Sequence, residues 1–443
     1  MRSKTSTSTP RSLSPDPDET AIEDLFLTRT ADFAFHRQRL HFELARTVFA
    51  SAGVDPGSAL LLRHLQAVGL TGGERVLDVG AGHGTLGIVL AALDRSRSVT
   101  FVDRDSLACA FTVRNLAGNG LPVATDGTEP QAGEAIVRGS LGYDGVAGAT
   151  PFDLVVSNIP GKAGENVIED LVTGAAAVAR AGAVVGFVVV KPLAEELEEL
   201  VAAPMFEPVL TTGNKTHVVV IARVGESTVP RGSDMKSGSG ERPLPVGGFE
   251  RGLYDRAAGR FSSGLLEWSA TTVTGLDEFD TLSQATRLLR GALQGVRATP
   301  SVVANPGQGH RAVIAALAGY QPSAIVGRDL LALSATRRCL ADNDCGDAPE
   351  LVHDLSVPEE WFYRVPLVIL HADDKVHGPW FTAEVIRYLD YVDRAGSGRH
   401  NLVLTGRSGL LGRLEADVLR RRKGHVAYKK GVKGYRAIRF TSS

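Results

Sequence analysis

Short apolar runs recur along the first half of the chain, separated by polar turns and by helix-length stretches. Residues 76–79 form one run, and 98–103, 135–140, 152–158, 183–191 and 217–224 form others. Each is rich in Val and Ile and bounded by Gly, Asp or Pro, so each reads as a strand. Leu86–Leu93, Leu107–Leu116 and the Glu-rich stretch Glu195–Glu199 fall between them and read as helices. Near-continuous apolar strands alternating with helices predict a parallel α/β sheet covered on both faces. Ahead of these, V-D-P-G-S-A-L-L-L-R-H-L, residues 54–65, reads as a helix capped by Asp55 with Pro56 in its first turn. Residues 21–50 set apolar against charged positions, with Phe33, Phe35 and Phe42 interleaved. Their spacing is taken as helical, giving a cover helix or a lid over the domain.

The pattern then repeats. A-N-P-G-Q-G-H-R-A-V-I-A-A-L from Ala304 aligns with L-D-V-G-A-G-H-G-T-L-G-I-V-L from Leu77. A-I-V-G-R-D-L-L-A-L aligns with T-F-V-D-R-D-S-L-A-C, and V-P-L-V-I-L-H-A-D-D-K with F-D-L-V-V-S-N-I-P-G-K. One fold is therefore expected twice: residues 21–224 and 249–443, joined by a Gly/Ser/Pro linker at 225–248 and preceded by a disordered tail at 1–20.

Composition narrows the class. The chain has 443 residues, 43% hydrophobic and 22% charged, as soluble globular domains do. No apolar run approaches the roughly 20 residues of a membrane span. The polar N-terminus has no signal-peptide core. Cys109, Cys339 and Cys345 show neither paired spacing nor an even count, so no metal site or disulfide framework is expected and a reducing cytoplasm fits. The charge of −2 hides an asymmetry: residues 21–224 hold 16 Lys+Arg against 23 Asp+Glu, whereas 245–443 hold 26 against 21. Ten Lys+Arg lie between Arg413 and Ser443, interleaved with Tyr428 and Tyr435. Basic residues neutralise phosphates and aromatics stack on unpaired bases, so this stretch is a candidate RNA-docking surface; a solvated strand-flanking surface is the alternative.

The candidate chemistry centres on V-L-D-V-G-A-G-H-G-T-L-G, residues 76–87. A strand ends in Asp78, and Gly80, Gly82 and Gly84 lead into a helix. Glycine admits positive φ and close approach of a ligand, and the helix N-terminus favours negative charge. The dinucleotide pattern G-x-G-x-x-G fails, because counted from Gly80 its third glycine falls on Thr85. An acid followed by alternating glycines instead resembles motif I of the class I S-adenosylmethionine (SAM) methyltransferases. The resemblance implies that Asp78, Gly80, Gly82 and Gly84 hold SAM. It also implies that Asp103, at the end of the next strand, accepts the ribose hydroxyls, in bonds worth roughly 1.5–3 kcal/mol each. Asp105 is expected to cap the following helix. Ser140 falls where such enzymes place a contact to adenine, or is a plain loop serine.

S-N-I-P-G-K, residues 157–162, resembles the N-P-P-Y-type turn of amino methyltransferases. There the Asn158 amide oxygen and a carbonyl of the Pro160 turn would orient a substrate nitrogen toward the methyl group, and positioning supplies much of the rate. Gly161 stands where that pattern has an aromatic, so either Phe33 or Phe35 stacks on the substrate or the substrate is not a planar base. Lys162 is a solvated loop lysine or meets a phosphate or carboxylate. In the second copy the alignment puts Asn305 for Asp78, Arg311 for Gly84, Gly327 for Asp103, His371 for Asn158 and Asp373 for Pro160. Two copies, one intact and one degenerate, together with the D-P-G-S lead-in, resemble the C-type family of ribosomal RNA small-subunit methyltransferases. That family methylates the exocyclic amine of a guanine. The order differs here, the C-terminal copy being the degenerate one. The resemblance implies two tandem Rossmann-like α/β domains with seven-stranded, mostly parallel sheets, SAM as cofactor and RNA as partner. A small-molecule methyltransferase, its second copy shaping the substrate site or a dimer surface, is the alternative.

Overall fold

The structure, a computed structural model, describes residues 22–70, 73–124, 129–226, 247–372, 378–395, 400–421 and 425–441. The tail expected at 1–20 and most of the linker lie outside the described residues.

The first domain runs β1 (Leu27–Phe35), β2 (Gln38–Ala45), α1 (Pro56–Ala67), β3 (Arg75–Val79), α2 (Thr85–Leu93), β4 (Ser98–Asp103), α3 (Ser106–Gly118), β5 (Ala135–Gly139), β6 (Phe152–Asn158), α4 (Glu165–Val178), β7 (Ala179–Val190), α5 (Ala194–Val201), β8 (Phe206–Gly213) and β9 (His217–Val224). The second runs β10 (Asp255–Ser263), β11 (Leu266–Val273), α6 (Gln284–Leu293), β12 (Ser301–Ala304), α7 (His310–Leu317), β13 (Pro322–Gly327), α8 (Leu330–Ala341), β14 (Glu350–His353), α9 (Glu359–Arg364), β15 (Leu367–Ala372), α10 (Gly378–Ala395), β16 (Asn401–Arg407), α11 (Ser408–Arg421), β17 (His425–Val432) and β18 (Tyr435–Thr441). Two seven-stranded sheets result, ordered β5-β4-β3-β6-β7-β9-β8 and β14-β13-β12-β15-β16-β18-β17. Only the penultimate strand of each order, β9 and β18, runs antiparallel to the rest. The order reverses at β3 and β12, so a crevice opens at their carboxyl ends, where such sheets bind ligands.

The helix expected within 21–50 is instead the hairpin β1–β2. Its alternation has period two: Phe33 and Phe35 on one strand, Leu40, Phe42 and Leu44 on the other, turning at His36 with φ 52°. The hairpin β10–β11 repeats it, turning at Gly264 with φ 65° and showing the same order of buried and exposed positions residue by residue. The edge strand β8 escaped the sequence reading. It is mostly exposed and carries Pro208, so it forms no apolar run.

Strand register corrects the alignment of the copies at the glycine turn. Val79 pairs with Val102 and Ala304 with Val326, which places Ala304 opposite Val79. Val303 therefore occupies the place of Asp78, and Asn305, Gly307 and Gly309, all at positive φ, occupy those of Gly80, Gly82 and Gly84. Arg311 stands in the place of Leu86, not of Gly84. The shared G-H pair had drawn the sequences two residues out of register. Gly327 for Asp103 and His371 for Asn158 stand, while Asp373 lies outside the described residues.

The two domains interlock. Leu107, Ala108 and Phe111 of α3 join the core on one face of the second sheet, with Phe26, Ala45 and Val48. Leu331, Ala332 and Ala335 of α8 join the core of the first sheet, with Tyr254, Val273 and Leu276. Each residue in one set has its counterpart in the other, so the contact is a pseudo-twofold exchange.

Candidate functional site

At the end of β3 the backbone turns through Gly80, Gly82 and Gly84 with φ 71°, 60° and 81°. Gly80 N–H and Ala81 N–H donate to Val102 C=O at 2.9 and 3.1 Å, tying the turn to β4. A Cβ added at Gly80 or Gly82 would meet nothing within 4 Å, so these two face open space. A Cβ at Gly84 would strike Ile88 Cδ1 at 2.8 Å, and one at Gly87 would enter the Phe101 ring at 2.3 Å. Gly84 and Gly87 therefore serve packing, whereas Gly80 and Gly82 leave room for a ligand.

Both candidate acids are tied to this turn. Asp78 is buried and its Oδ2 accepts from Gly87 N–H at 2.8 Å, bracing the start of α2 from beneath. Burial, with a contribution from the charge of Asp103, pushes its pKa up to about 7 against the bond from Gly87. Asp103 ends β4 and accepts from Gly82 N–H at Oδ2 and from Asp105 N–H at Oδ1, each at 2.9 Å. Burial first, then the charge of Asp105, raises it to about 6. Asp105 caps α3 as expected, accepting from Leu107 N–H. The buried Ser140 hydroxyl donates to Gly142 C=O at 2.8 Å and accepts from Gly145 N–H at 2.7 Å, so it shapes its own loop beside Asp103.

At the end of β6, Asn158 Nδ2 donates to Asp55 Oδ2 at 2.6 Å and to Ser58 Oγ at 3.0 Å. A carboxylate only accepts, which fixes the amide orientation: the NH₂ faces α1 and Oδ1 faces away. Asp55 thus does more than cap α1. The same Oδ2 accepts from Ser58 N–H at 2.8 Å, and Gly57 permits the approach, since a Cβ there would lie 2.9 Å from it. The D-P-G-S lead-in is therefore the clamp on Asn158, a role its sequence reading as a helix start did not include. Ile159 N–H bonds Val188 C=O, and Pro160 C=O accepts from Ala163 N–H at 3.1 Å, closing the turn. Pro160 is exposed beside it.

Neither aromatic proposed to stack on a substrate is free. Phe35 is buried in the core, and Phe33 stacks on it at 6.1 Å between centroids. Among the described aromatics of the first domain, Phe49 is the exposed one, at 65% exposure. Its surroundings follow from the second domain, where a cavity of about 620 Å³ opens at the equivalent turn, among Asp277, Glu278, Asn305, Arg311, Gly327 and His371. Ala50 (φ 63°) and Glu278 (φ 66°) are equivalent in the two hairpin exits, so Phe49 stands where Asp277 lines that cavity. In the second domain Arg311 pairs with Glu278 at 2.7 Å, and both are nearly fully buried. Burial alone would raise the Glu278 carboxyl, but the Arg311 charge holds it down at about 2. His371 Nδ1 lies 2.9 Å from Thr405 Oγ1.

In the basic C-terminal stretch, Lys429 and Arg436 both pair with Glu415, Arg420 pairs with Asp417, and Arg439 donates to the Ala292 and Gln294 carbonyls. Tyr428 packs against α6, and Tyr435 lies under Arg407 with its ring centroid 4.6 Å from the guanidinium carbon. Arg413, Lys430 and Lys433 are exposed. No described helix is long and apolar enough to cross a membrane.

Comparison with known proteins agrees with this geometry. Residues 39–202 match the methyltransferase small domain. A ribosomal RNA small subunit methyltransferase C of Chromohalobacter salexigens is 36% identical over 146 residues, 31% of this chain and 39% of its own length. A ribosomal RNA large subunit methyltransferase G of Streptomyces avermitilis is 34% identical over 115 residues, 26% of each chain. The chain thus matches well under half the length of either relative. Among solved structures, the T. thermophilus 16S rRNA N2 guanine methyltransferase, in complex with AdoMet and guanosine, superposes with a TM-score of 0.59. That match covers 95% of this chain and all of the other at 17% identity, so the two-domain fold is shared. Residues 39–202 thus match a methyltransferase domain, and the chain as a whole shares the two-domain fold of a solved methyltransferase.

Proposed function

We propose that the first domain transfers a methyl group from SAM to an exocyclic amine of a nucleobase in ribosomal RNA. The observation that carries this reading is the clamped Asn158: Asp55 and Ser58 hold its NH₂, leaving Oδ1 as an acceptor at the carboxyl end of β6. Oδ1 and the Ile159 carbonyl would accept the amine's two hydrogens and aim its lone pair.

The residues present fit the cofactor. Gly80 and Gly82 leave space where a side chain would stand, the α2 N-terminus lies behind them, and Asp103 ends the neighbouring strand. When bound, SAM supplies an electrophilic methyl on a sulfonium. Asp103 would accept the ribose hydroxyls, Asp78 would keep the turn in shape, and the Ser140 loop would border the adenine. Phe49 would supply the stacking surface that Gly161 lacks. Asn158 needs no basicity, because the proton leaves after transfer. Arg413, Lys430 and Lys433 would meet RNA phosphates. The names of the relatives support a ribosomal substrate.

The test is transfer of labelled methyl from SAM to small ribosomal subunits, naked ribosomal RNA and a small-molecule extract, by the wild type and by Asn158→Ala. Label in RNA that the variant loses supports the proposal. Label confined to the extract overturns the RNA substrate, and no SAM binding overturns the enzyme.

A further inference from the structure

The second domain meets the segment that follows Asp103 through backbone and side-chain contacts. Where the domains meet, residues 104–105 and 328–329 lie antiparallel: Ser106 N–H donates to Arg328 C=O at 2.8 Å and Leu330 N–H to Arg104 C=O at 3.0 Å. His353 Nε2 lies 3.0 and 2.8 Å from those same two carbonyls, at the pseudo-axis. The side chains are less symmetric than the backbone. Arg328 Nη2 meets Asp105 Oδ2 at 2.6 Å and its Nη1 donates to Thr47 Oγ1 at 2.9 Å. The mirror contact, Arg104 to Asp329, is longer at 3.4 Å.

We infer that Arg328 is a positioning residue for the SAM site of the other domain. Its guanidinium fixes Asp105, whose N–H holds Asp103 Oδ1, whose other oxygen holds Gly82 N–H. The same guanidinium holds Thr47, two residues before Phe49. One cation thus ties the ribose acid, the glycine turn and the hairpin exit together. Without it, Asp105 faces Asp103 and Asp329 with one fewer counter-charge, and only the backbone pairing and His353 still hold the segment. The mirror arm ends on the segment of Gly327, which carries no acid to orient. The degenerate copy therefore acts on the intact one in cis. This inference rests on the SAM assignment above.

The test is calorimetric SAM affinity of the full chain as wild type, Arg328→Ala, Arg328→Lys, Asp329→Asn, Asp103→Ala and the Arg328→Ala/Asp103→Ala double variant. Arg328→Ala is expected to weaken binding about tenfold, within the usual range for coupling between sites, with Arg328→Lys intermediate. Asp329→Asn, which disturbs the same interface off this chain of contacts, stays within about twofold of wild type. In the double variant the Arg328 effect disappears, because its route runs through Asp103. A merely structural arginine would weaken binding by the same factor with or without Asp103. That result, or wild-type affinity in Arg328→Ala, would overturn the inference while leaving the SAM site standing. Loss of binding in the wild type would overturn the SAM site itself. Should Arg328→Ala fail to fold, Arg328→Lys with and without Asp103→Ala makes the same comparison.

Discussion

His83 latches the hairpin to the cofactor turn, and its replacement by Gln isolates a measurable pH dependence. Its Nε2 accepts from Ala45 N–H at 2.9 Å in a buried setting. Burial lowers its pKa from the ordinary 6.5 to about 4, and the bond from Ala45 N–H requires the same unprotonated Nε2. The folded protein therefore holds it neutral while the unfolded chain takes up a proton below 6.5. Its contribution is full above that value and is lost as pH falls toward 4. The slope is about 1.4 kcal/mol per pH unit and the total about 3 kcal/mol. The second domain shows the remedy: Gln308 Oε1 accepts from Val273 N–H at 3.0 Å in the equivalent place, and Nε2 donates to Val273 and Leu276 carbonyls. His83→Gln should keep the latch and remove the proton. Urea unfolding at pH 7.5 should leave the variant within about 1 kcal/mol of wild type, a typical net hydrogen-bond value. At pH 4.5 the variant should be the more stable by about 2 kcal/mol. Taking the difference cancels Asp78 and Asp103, whose raised values act in the opposite sense, and His310, also held down at about 4 by burial. Parallel pH profiles for the two proteins would refute the latch.

Four further outcomes follow. Because Asp103 takes up a proton near pH 6, SAM affinity measured by calorimetry should fall as pH drops from 7 to 5, and Asp103→Asn should abolish that dependence. Asp55→Asn keeps the cap but no longer dictates the Asn158 amide, so kcat should fall about tenfold, while stability, read by thermal melting, changes by less than about 1 kcal/mol. Phe49→Ala should raise KM for RNA about tenfold, consistent with a base-stacking contribution of roughly 1–3 kcal/mol, with SAM affinity unchanged. Arg311→Leu strands a buried carboxylate and should cost about 3–5 kcal/mol in denaturant unfolding, whereas Arg311→Leu with Glu278→Ala installs the first domain's Leu86 and Ala50 and should recover most of it.

The parallel sheets and the glycine turn were legible because buried strands and a turn at positive φ leave residue-type signatures. Asp103 and Asn158 lie at strand ends as expected, since the acid or amide closes each apolar run, and Asp105 caps α3. The hairpin was misread because Phe33, Phe35 and Phe42 satisfy more than one period when charged residues fill the gaps. The repeat slipped by two residues because G-H occurs in both turns, yet His83 and His310 are not equivalent. His83 accepts from the backbone N–H of Ala45, while His310 accepts from the Trp268 side chain, Nε1, at 3.0 Å. The clamp on Asn158 was invisible for a different reason. It joins residues about a hundred positions apart, and Asp55 already had a sufficient local explanation as a cap.

The interlocked cores give the second copy a structural role beside the first. Val303 for Asp78, Gly327 for Asp103 and Arg311 for Leu86 are the differences at the second crevice. The counterparts that cross the interface remain apolar: Ala45 and Val273, Val48 and Leu276, Leu107 and Leu331, Ala108 and Ala332. Each domain completes the other's core, so losing the second would uncover the part of the first domain's core that α8, Tyr254, Val273 and Leu276 cover, at roughly 25 cal/mol per Å² of apolar surface. In the second crevice a buried ion pair now joins the hairpin exit to the α7 start, the two walls that a bound cofactor would otherwise bridge.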